Sequence, residues 1–324
     1  VPTTVLITGA AGFIGRQVTR EAARQGMDLR LMSHRRPLPG SDGEATAGRS
    51  PVTGRPALSV RADLADPPSL RGVCEGVEVL LHCAAQIGGT PETNETVNAR
   101  GTQALVAEAR RAGVSRIVQI STASVYGRGD YRRARPEDLV RNPESPTSAT
   151  RAVAEDAVLA AGGIVLRPHF VHGPGDTWLV SGLAGVLQAL PGTVEGWPAR
   201  LSLVSVHDLA RLAVGASLAP LHNLTASVYH CAHPEPVTAR DLLRAVADCA
   251  GLAWPPRELT IRQARDLLSD DPRSRHALGM LTSDHWFDGE QLWSDLAEVP
   301  GPPFAESFAR YAPWYREQLR PARQ

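Results

Sequence analysis

The sequence predicts an α/β protein, a doubly wound parallel sheet with a smaller, mainly C-terminal lobe. Three observations carry that reading. Strand-like and helix-like hydrophobic periods alternate through the first hundred residues, the pattern of parallel strands joined by crossover helices. A glycine-rich turn, Gly9-Ala10-Ala11-Gly12-Phe13-Ile14-Gly15, joins the first strand to the first helix. Beyond residue 172 the alternation stops, and residues 174–200 and 232–324 carry many Pro and Trp without a repeating unit.

Residues 4–7 are a short β-branched run, and residues 13–25 follow as a helix with Ile14, Val18 and Ala22 on one face. Residues 29–32 make the second strand. From 37 to 56 the chain is rich in Gly, Pro, Ser and Thr without periodicity, which predicts a long surface loop. Strands are predicted at 58–60, 79–83, 116–120 and 164–166, separated by helices at 68–74, 95–112 and 148–161. Residues 201–206 and 227–231 read as strands flanking a helix at 207–218, and further helices follow at 239–250 and 303–318. The pattern divides the chain into 1–172 plus 201–231, which hold the sheet, and 173–200 plus 232–324, the smaller lobe.

Composition narrows the function. The 324 residues balance 34 basic against 34 acidic side chains, so electrostatics gives no reason to expect a nucleic-acid or membrane partner. Every basic residue is Arg. Without any Lys, Schiff-base chemistry and lysine-assisted acid catalysis are excluded. Cys74, Cys83, Cys231 and Cys249 are spaced for neither a metal site nor a redox pair and read as reduced core residues. No apolar run reaches the ~20 residues of a membrane helix. The expectation is a soluble cytoplasmic protein with no bound metal and a small-molecule partner.

The glycine turn has a physical reading. Gly9 permits the sharp strand-to-helix turn, Gly12 lets backbone approach a pyrophosphate, and Gly15 lets the helix pack closely. The helix amino terminus adds N–H groups and positive potential for phosphate, with Ala11, Phe13 and Ile14 completing the loop. This is the Rossmann-like dinucleotide-binding arrangement. The second strand runs into Ser33-His34-Arg35-Arg36, with no acid to hold a ribose 2′-hydroxyl. An Arg fork matches a 2′-phosphate, which favours NADP(H).

At this point the chain resembles the extended short-chain dehydrogenase/reductase family, which includes nucleotide-sugar epimerases and dehydratases and antibiotic-pathway ketoreductases. Asp63-Leu64 resembles its adenine-contacting pair, and His82-Cys83-Ala84-Ala85 its H-x-A-A turn. Asn98 with Gly101-Thr102 matches N-x-x-G-T, and Ser121-Thr122-Ala123-Ser124-Val125-Tyr126-Gly127 is similar to S-S-A-x-V-Y-G. Arg167-Pro168 followed by Val171-His172-Gly173-Pro174 resembles R-P-x-x-V-Y-G-P, with His for Tyr. The resemblance implies cofactor contacts from Asp63, Leu64, Cys83, Ala84, Ala85, Asn98, Ser121, Arg151, Pro168 and Val171, and it places Ser124 beside the substrate.

The family's P-Y-x-x-S-K segment, which carries its acid–base tyrosine and lysine, corresponds to Pro146-Thr147-Ser148-Ala149-Thr150-Arg151. Thr147 stands where Tyr is expected and Arg151 where Lys is expected. Arg151 retains the charge and donors to contact the nicotinamide ribose. Thr122 is placed to polarise a carbonyl, and Thr147 either does the same or makes room for a bulky substrate. An aliphatic hydroxyl is far less acidic than a phenol at about 10, so neither Thr replaces the missing acid. The proton then comes from water, from His169 or His172, or from a hydroxyl of the substrate itself.

Open α/β sheets bind ligands beyond the carboxyl ends of their strands, which points to Gln86, Ile87, Trp178, Trp197 and an Arg-rich lid at 127–141 as substrate contacts. The reading is an NADP(H)-dependent ketoreductase acting on a polyphenolic, angucyclinone-like aromatic polyketide, with a homodimer as one assembly. A catalytically silent NADP-binding sensor and a nucleotide-sugar epimerase or dehydratase stand as alternatives.

Overall fold

Strands covered on both faces read as unbroken apolar runs, and Val79–His82 is buried along its whole length. The computed structural model describes residues 2–34, 46–50, 54 and 56–320. In chain order its strands are β1 (Thr4–Thr8), β2 (Asp28–Ser33), β3 (Thr46–Arg49), β4 (Pro56–Arg61), β5 (Val79–His82), β6 (Arg116–Ile120), β7 (Tyr131–Ala134), β8 (Ile164–Pro168), β9 (Phe170–His172), β10 (Gly192–Val194), β11 (Arg200–Leu201), β12 (Leu203–Ser205), β13 (Val228–Cys231), β14 (Val237–Thr238), β15 (Arg257–Leu259) and β16 (His285–Phe287). The helices are α1 (Phe13–Arg24), α2 (Pro91–Asn94), α3 (Thr102–Arg111), α4 (Pro146–Ala160), α5 (Leu179–Ala189), α6 (Val206–Leu218), α7 (Ala239–Ala250), α8 (Ile261–Leu267), α9 (Pro272–Leu281), α10 (Glu290–Asp295) and α11 (Phe304–Gln318).

The main sheet runs β13-β8-β6-β5-β1-β2-β4-β3. All its pairings are parallel except β3 on β4. From β1 the chain builds outward through β2 and β4, then returns to start again at β5, so the strand order switches between β1 and β5. A crevice opens at the carboxyl ends of strands at such a switch. One face of the sheet buries Val18 and Ala22 of α1 with Leu209 and Ala213 of α6. The other buries Leu105 and Ala109 of α3 with Val158 of α4. A separate core joins Leu183 of α5, Leu242 of α7 and Phe308 of α11.

Several sequence expectations change. Residues 46–49, inside the stretch read as loop, form β3 along β4. The helix expected at 68–74 is only a single 3-10 turn, Pro67–Leu70, because Arg71 is already extended. The helix expected at 95–112 starts earlier, at α2, and passes through a π-helical segment, Glu95–Gly101, before α3. Within residues 127–141, expected as a lid, β7 pairs in parallel with β16. Trp197, proposed as a substrate wall, is 1% exposed and belongs to the second core. Its large apolar surface is spent on packing.

Candidate functional site

The glycine turn sits at the β1–β5 switch. Gly9 has φ +64, a conformation L side chains rarely adopt, and a Cβ there would lie 2.9 Å from the backbone of Ala84. The turn closes through Gly12 N–H donating to Gly9 O at 2.8 Å. A Cβ on Gly15 would lie 2.1 Å from the same carbonyl oxygen. Gly12 is the N-cap of α1 and offers no side chain, which leaves the helix's first amide groups to a ligand.

From this turn a cavity of about 560 Å³ extends over Met32–His34, residues 62–65, residues 83–86 and the helix face of Glu92, Thr93, Thr96 and Val97. Gly9, Ala11, Gly12, Ser33, His34, Asp63, Leu64, Cys83, Ala84 and Ala85, read from the sequence as cofactor contacts, line this one cavity together with Gln86, read as a substrate contact. Met32, Ala62, Ala65 and the 92–97 face were not singled out. Thr93, Thr96 and Val97 sit within about a turn or so before Asn98, so the helix spacing carried the signal. Arg35 and Arg36 lie outside the described residues. At the far end His34 Nε2 meets Asp63 Oδ2 at 2.7 Å. Phe13, Ile14 and Gly15 do not line the cavity. Phe13 packs beneath Gly175, Ile14 packs against the first core, and Gly15 supports the turn.

At the other end, polar side chains are already engaged with one another. His82 is buried between Thr8 Oγ1, at 2.7 Å from Nδ1, and Thr102 Oγ1, at 2.9 Å from Nε2. Burial pushes its imidazole down to about 3, so it is neutral and ties β5 to β1 and α3. Desolvation raises the Cys83 thiol to about 12, which keeps it protonated. Asn98 accepts from Gln86 N at 2.7 Å and donates back to Gln86 O at 2.9 Å, clamping the segment after β5 rather than facing the cavity.

Ser121, expected at the cofactor, does not line the cavity and donates to Glu155 Oε1 at 2.5 Å. Glu155 is fully buried and takes both Arg167 Nη2 at 2.6 Å and Arg167 Nε at 3.0 Å. Arg167 Nη1 donates to Tyr126 Oη at 2.7 Å, and that oxygen meets His230 Nε2 at 2.7 Å. Burial pushes the Tyr126 phenol up to about 12. Arg151 is buried above this chain and donates through Nη2 to Ile120 O, while its Nε has no partner. Burial lowers its guanidinium to about 10, still a cation at neutral pH.

Thr122 caps the short turn Ala123–Tyr126, accepting from Ser124 N at 3.1 Å. Its hydroxyl donates to Ser124 Oγ at 3.1 Å. Ser124 is exposed, so its own O–H stays free for a ligand. Thr147 Oγ1 donates to Asn94 Oδ1 at 2.9 Å and accepts from Gly88 N at 3.3 Å. A hydroxyl has one proton, and Thr147 has placed it on Asn94. Of the two roles expected for Thr147, this hydrogen bond uses the proton that polarising a carbonyl would need.

His172 is corrected as well. It is buried against Phe304, Phe308 and Tyr311, its Nδ1 has no partner, and burial lowers it to about 4. A neutral ring in an apolar contact is a packing group. His169 stacks on His285 with centroids 5.2 Å apart, and burial holds it well below the usual imidazole range. Pro168 is buried at the end of β8, and Val171 packs against the first core from β9. Ile87 and Trp178 are 54% and 64% exposed, so neither is consumed by a core. Among the described residues no cluster suited to a metal occurs, and no helix is long and apolar enough to cross a membrane.

Residues 5–217 match the profile of the NAD dependent epimerase/dehydratase family. A 2-alkyl-3-oxoalkanoate reductase of Stenotrophomonas maltophilia is 26% identical over 94% of this chain and 97% of its own. A 4-hydroxy-2-methyl-3-oxo-4-farnesyl-3,4-dihydroquinoline-1-oxide ketoreductase of Stigmatella aurantiaca is 26% identical over 80% of this chain and 77% of that one. Among solved structures, a UDP-glucose 4-epimerase of Thermus thermophilus in complex with NAD has the same fold. Its TM-score is 0.71 at 22% identity, covering 97% of this chain and 99% of that chain.

Proposed function

Because the chain belongs to the NAD dependent epimerase/dehydratase family, an extended short-chain dehydrogenase/reductase group of oxidoreductases acting on hydroxyl and keto groups, we propose that it is an NADPH-dependent ketoreductase. Its substrate is a ketone on a polyphenolic, angucyclinone-like polyketide of antibiotic biosynthesis, and the product's proton comes from the substrate. It works in the cytoplasm, with a homodimer as its assembly. Residues 1–172 plus 201–231 hold the cofactor, and 173–200 plus 232–324 form the substrate lobe.

The residues fit a dinucleotide. The turn lacks a Cβ wherever one would block it, and Arg151 Nε is buried without a partner, with its charge acting on Cys83 of the cavity lining. Gly9, Gly12, Asp63, Leu64, Cys83, Ala84 and Ala85 would hold the cofactor, with Arg151 on the nicotinamide ribose. NADP over NAD rests on Ser33 where an acid would hold a 2′-hydroxyl, and on Arg35 and Arg36 after it. When bound, the reduced cofactor supplies a hydride to the carbonyl carbon. Ser124, fixed by Thr122, donates its free O–H to the carbonyl oxygen, and preorganised donors of this kind favour the developing negative charge. Arg151 adds a fixed cation at that end.

One observation carries the proton assignment. At the position of the family's tyrosine, the only hydroxyl is Thr147, and its proton is held by Asn94. A phenol or enol beside the ketone needs no protein acid. The named activities of the two relatives, a ketoreductase and an oxoalkanoate reductase, support reduction of a keto group.

The test is NADPH oxidation over aromatic ketones with and without a neighbouring phenol, together with nucleotide ketosugars. Stoichiometric oxidation confined to the phenolic ketones is expected, and the double variant His169→Gln/His172→Gln should keep turnover within a few-fold. A loss of several orders of magnitude in that variant would restore a histidine acid. Tight NADPH binding without oxidation of any ketone would make the protein a sensor. Turnover of a nucleotide sugar with retained cofactor would make it an epimerase or dehydratase.

A further inference from the structure

We propose that Asn94 is a positioning residue that works through Thr147 to hold the segment from Gln86 to Thr90 against the substrate. The inference rests on the reading that the cleft takes an aromatic ketone. Asn94 is 1% exposed, and its amide is fully used. Nδ2 donates to Gly88 O at 2.8 Å and to Thr90 O at 3.0 Å. Oδ1 accepts from Thr147 Oγ1 at 2.9 Å and from Asn98 Nδ2 at 3.2 Å. A primary amide has two donor hydrogens and two acceptor lone pairs, so nothing is left over. The orientation is fixed too, because rotating the amide would set Oδ1 against two carbonyl oxygens.

The ring closes when Gly88 N donates to Thr147 Oγ1 at 3.3 Å. Gly88 and Gly89 have φ of +70 and +84, backbone that favours glycine, and two residues this free in conformation rely on the hydrogen bonds around them to hold one path between the two anchors. Asn98 holds the first anchor through both backbone groups of Gln86. What this apparatus presents is Gln86, which lines the cavity, and Ile87, which stays half in solvent. A side chain of that size gains nothing from exposure. Pinning the backbone on either side of it, at Gln86, Gly88 and Thr90, with five hydrogen bonds makes sense when a ligand covers it, and an isoleucine face suits the flat apolar ring of an aromatic ketone. The space and bonding that a tyrosine would occupy at residue 147 are thereby used to position substrate instead of to protonate product.

Thr147→Val keeps the shape and removes the hydroxyl, while Thr147→Ser restores it. Thr147→Val should raise KM for the aromatic ketone about tenfold with kcat within about threefold. The NADPH Kd should stay unchanged, and the Gly88 amide should lose hydrogen-exchange protection. Thr147→Ser should return both KM and protection to near the parent values, and Ile87→Ala should reproduce the KM rise with protection intact. A fall in kcat and kcat/KM together would overturn the proposal in favour of a transition-state role for Thr147. Lost protection with unchanged KM would overturn it by showing that the segment does not touch substrate. If the parent protein reduces no ketone, the functional reading fails separately, and the Kd of the aromatic ketone, read by fluorescence quenching, takes the place of KM in the same comparison.

Discussion

The two ends of the cleft are built from different materials. At the glycine-turn end the site is backbone, with three glycines whose missing Cβ atoms let β1, α1 and Ala84 approach one another. At the end where the sequence places the reaction, outside the cavity lining, it is side chains, and most of these are committed: Thr147 to Asn94, Thr122 to Ser124, Ser121 to Glu155. Backbone geometry can be retained while the side-chain chemistry beside it is exchanged. On the proposed function, cofactor binding and proton transfer are therefore separable, since the glycine turn is retained where Thr147 and Arg151 stand in place of the family's tyrosine and lysine.

The largest expected effect breaks the backbone end. Gly15→Val puts a side chain into the Gly9 carbonyl, 2.1 Å from where its Cβ would lie. NADPH binding, followed by cofactor fluorescence, should weaken more than about a hundredfold, a change of about 3 kcal/mol or more. Binding within a few-fold of the parent would show that the turn is not the cradle.

Next comes the ion pair beneath the reacting end. Arg167→Leu leaves Glu155 buried without its main partner and should cost about 3–5 kcal/mol in urea unfolding. Glu155→Gln combined with Arg167→Leu should recover part of that loss, because no isolated charge remains. A single variant of unchanged stability would mean that water reaches Glu155.

The third test separates the two ends directly. Ser124→Ala should lower kcat about a hundredfold with NADPH affinity unchanged, the scale of losing one preorganised donor. A loss of cofactor affinity with normal kcat would move Ser124 to the binding end.

The smallest effect concerns the imidazoles. His172 titrates near 6.5 when unfolded and at about 4 in the fold. Above 6.5 both states are neutral and the ring carries no penalty. As pH falls from 6.5 toward 4 the unfolded chain takes up the proton first, so stability drops by at most about 1.4 kcal/mol per pH unit for this group. His172→Phe, which preserves the contact with Phe304 and Phe308, should flatten the stability profile over that window. An unchanged profile would show that the ring is already solvated.

The parallel sheet, the glycine turn and much of the lining of the cavity beside it are legible in the sequence alone, because each depends on neighbours along the chain. A strand, a turn and a helix start lie within about twelve residues of one another here, and periodicity and glycine placement report local backbone geometry. The absence of lysine is likewise complete in the sequence. The strand β3 stays hidden there, since a short strand at the sheet edge carries no alternation of its own. Trp197 and Trp178 look like equals in the sequence, although one is core and the other exposed. What the hydroxyls do is settled by packing. Thr147 meets Asn94 across 53 positions, and Tyr126 meets His230 across 104. A hydroxyl's role is set by whichever group accepts its one proton, and that partner is fixed when α2, α4 and the sheet pack together, a fact no local pattern encodes.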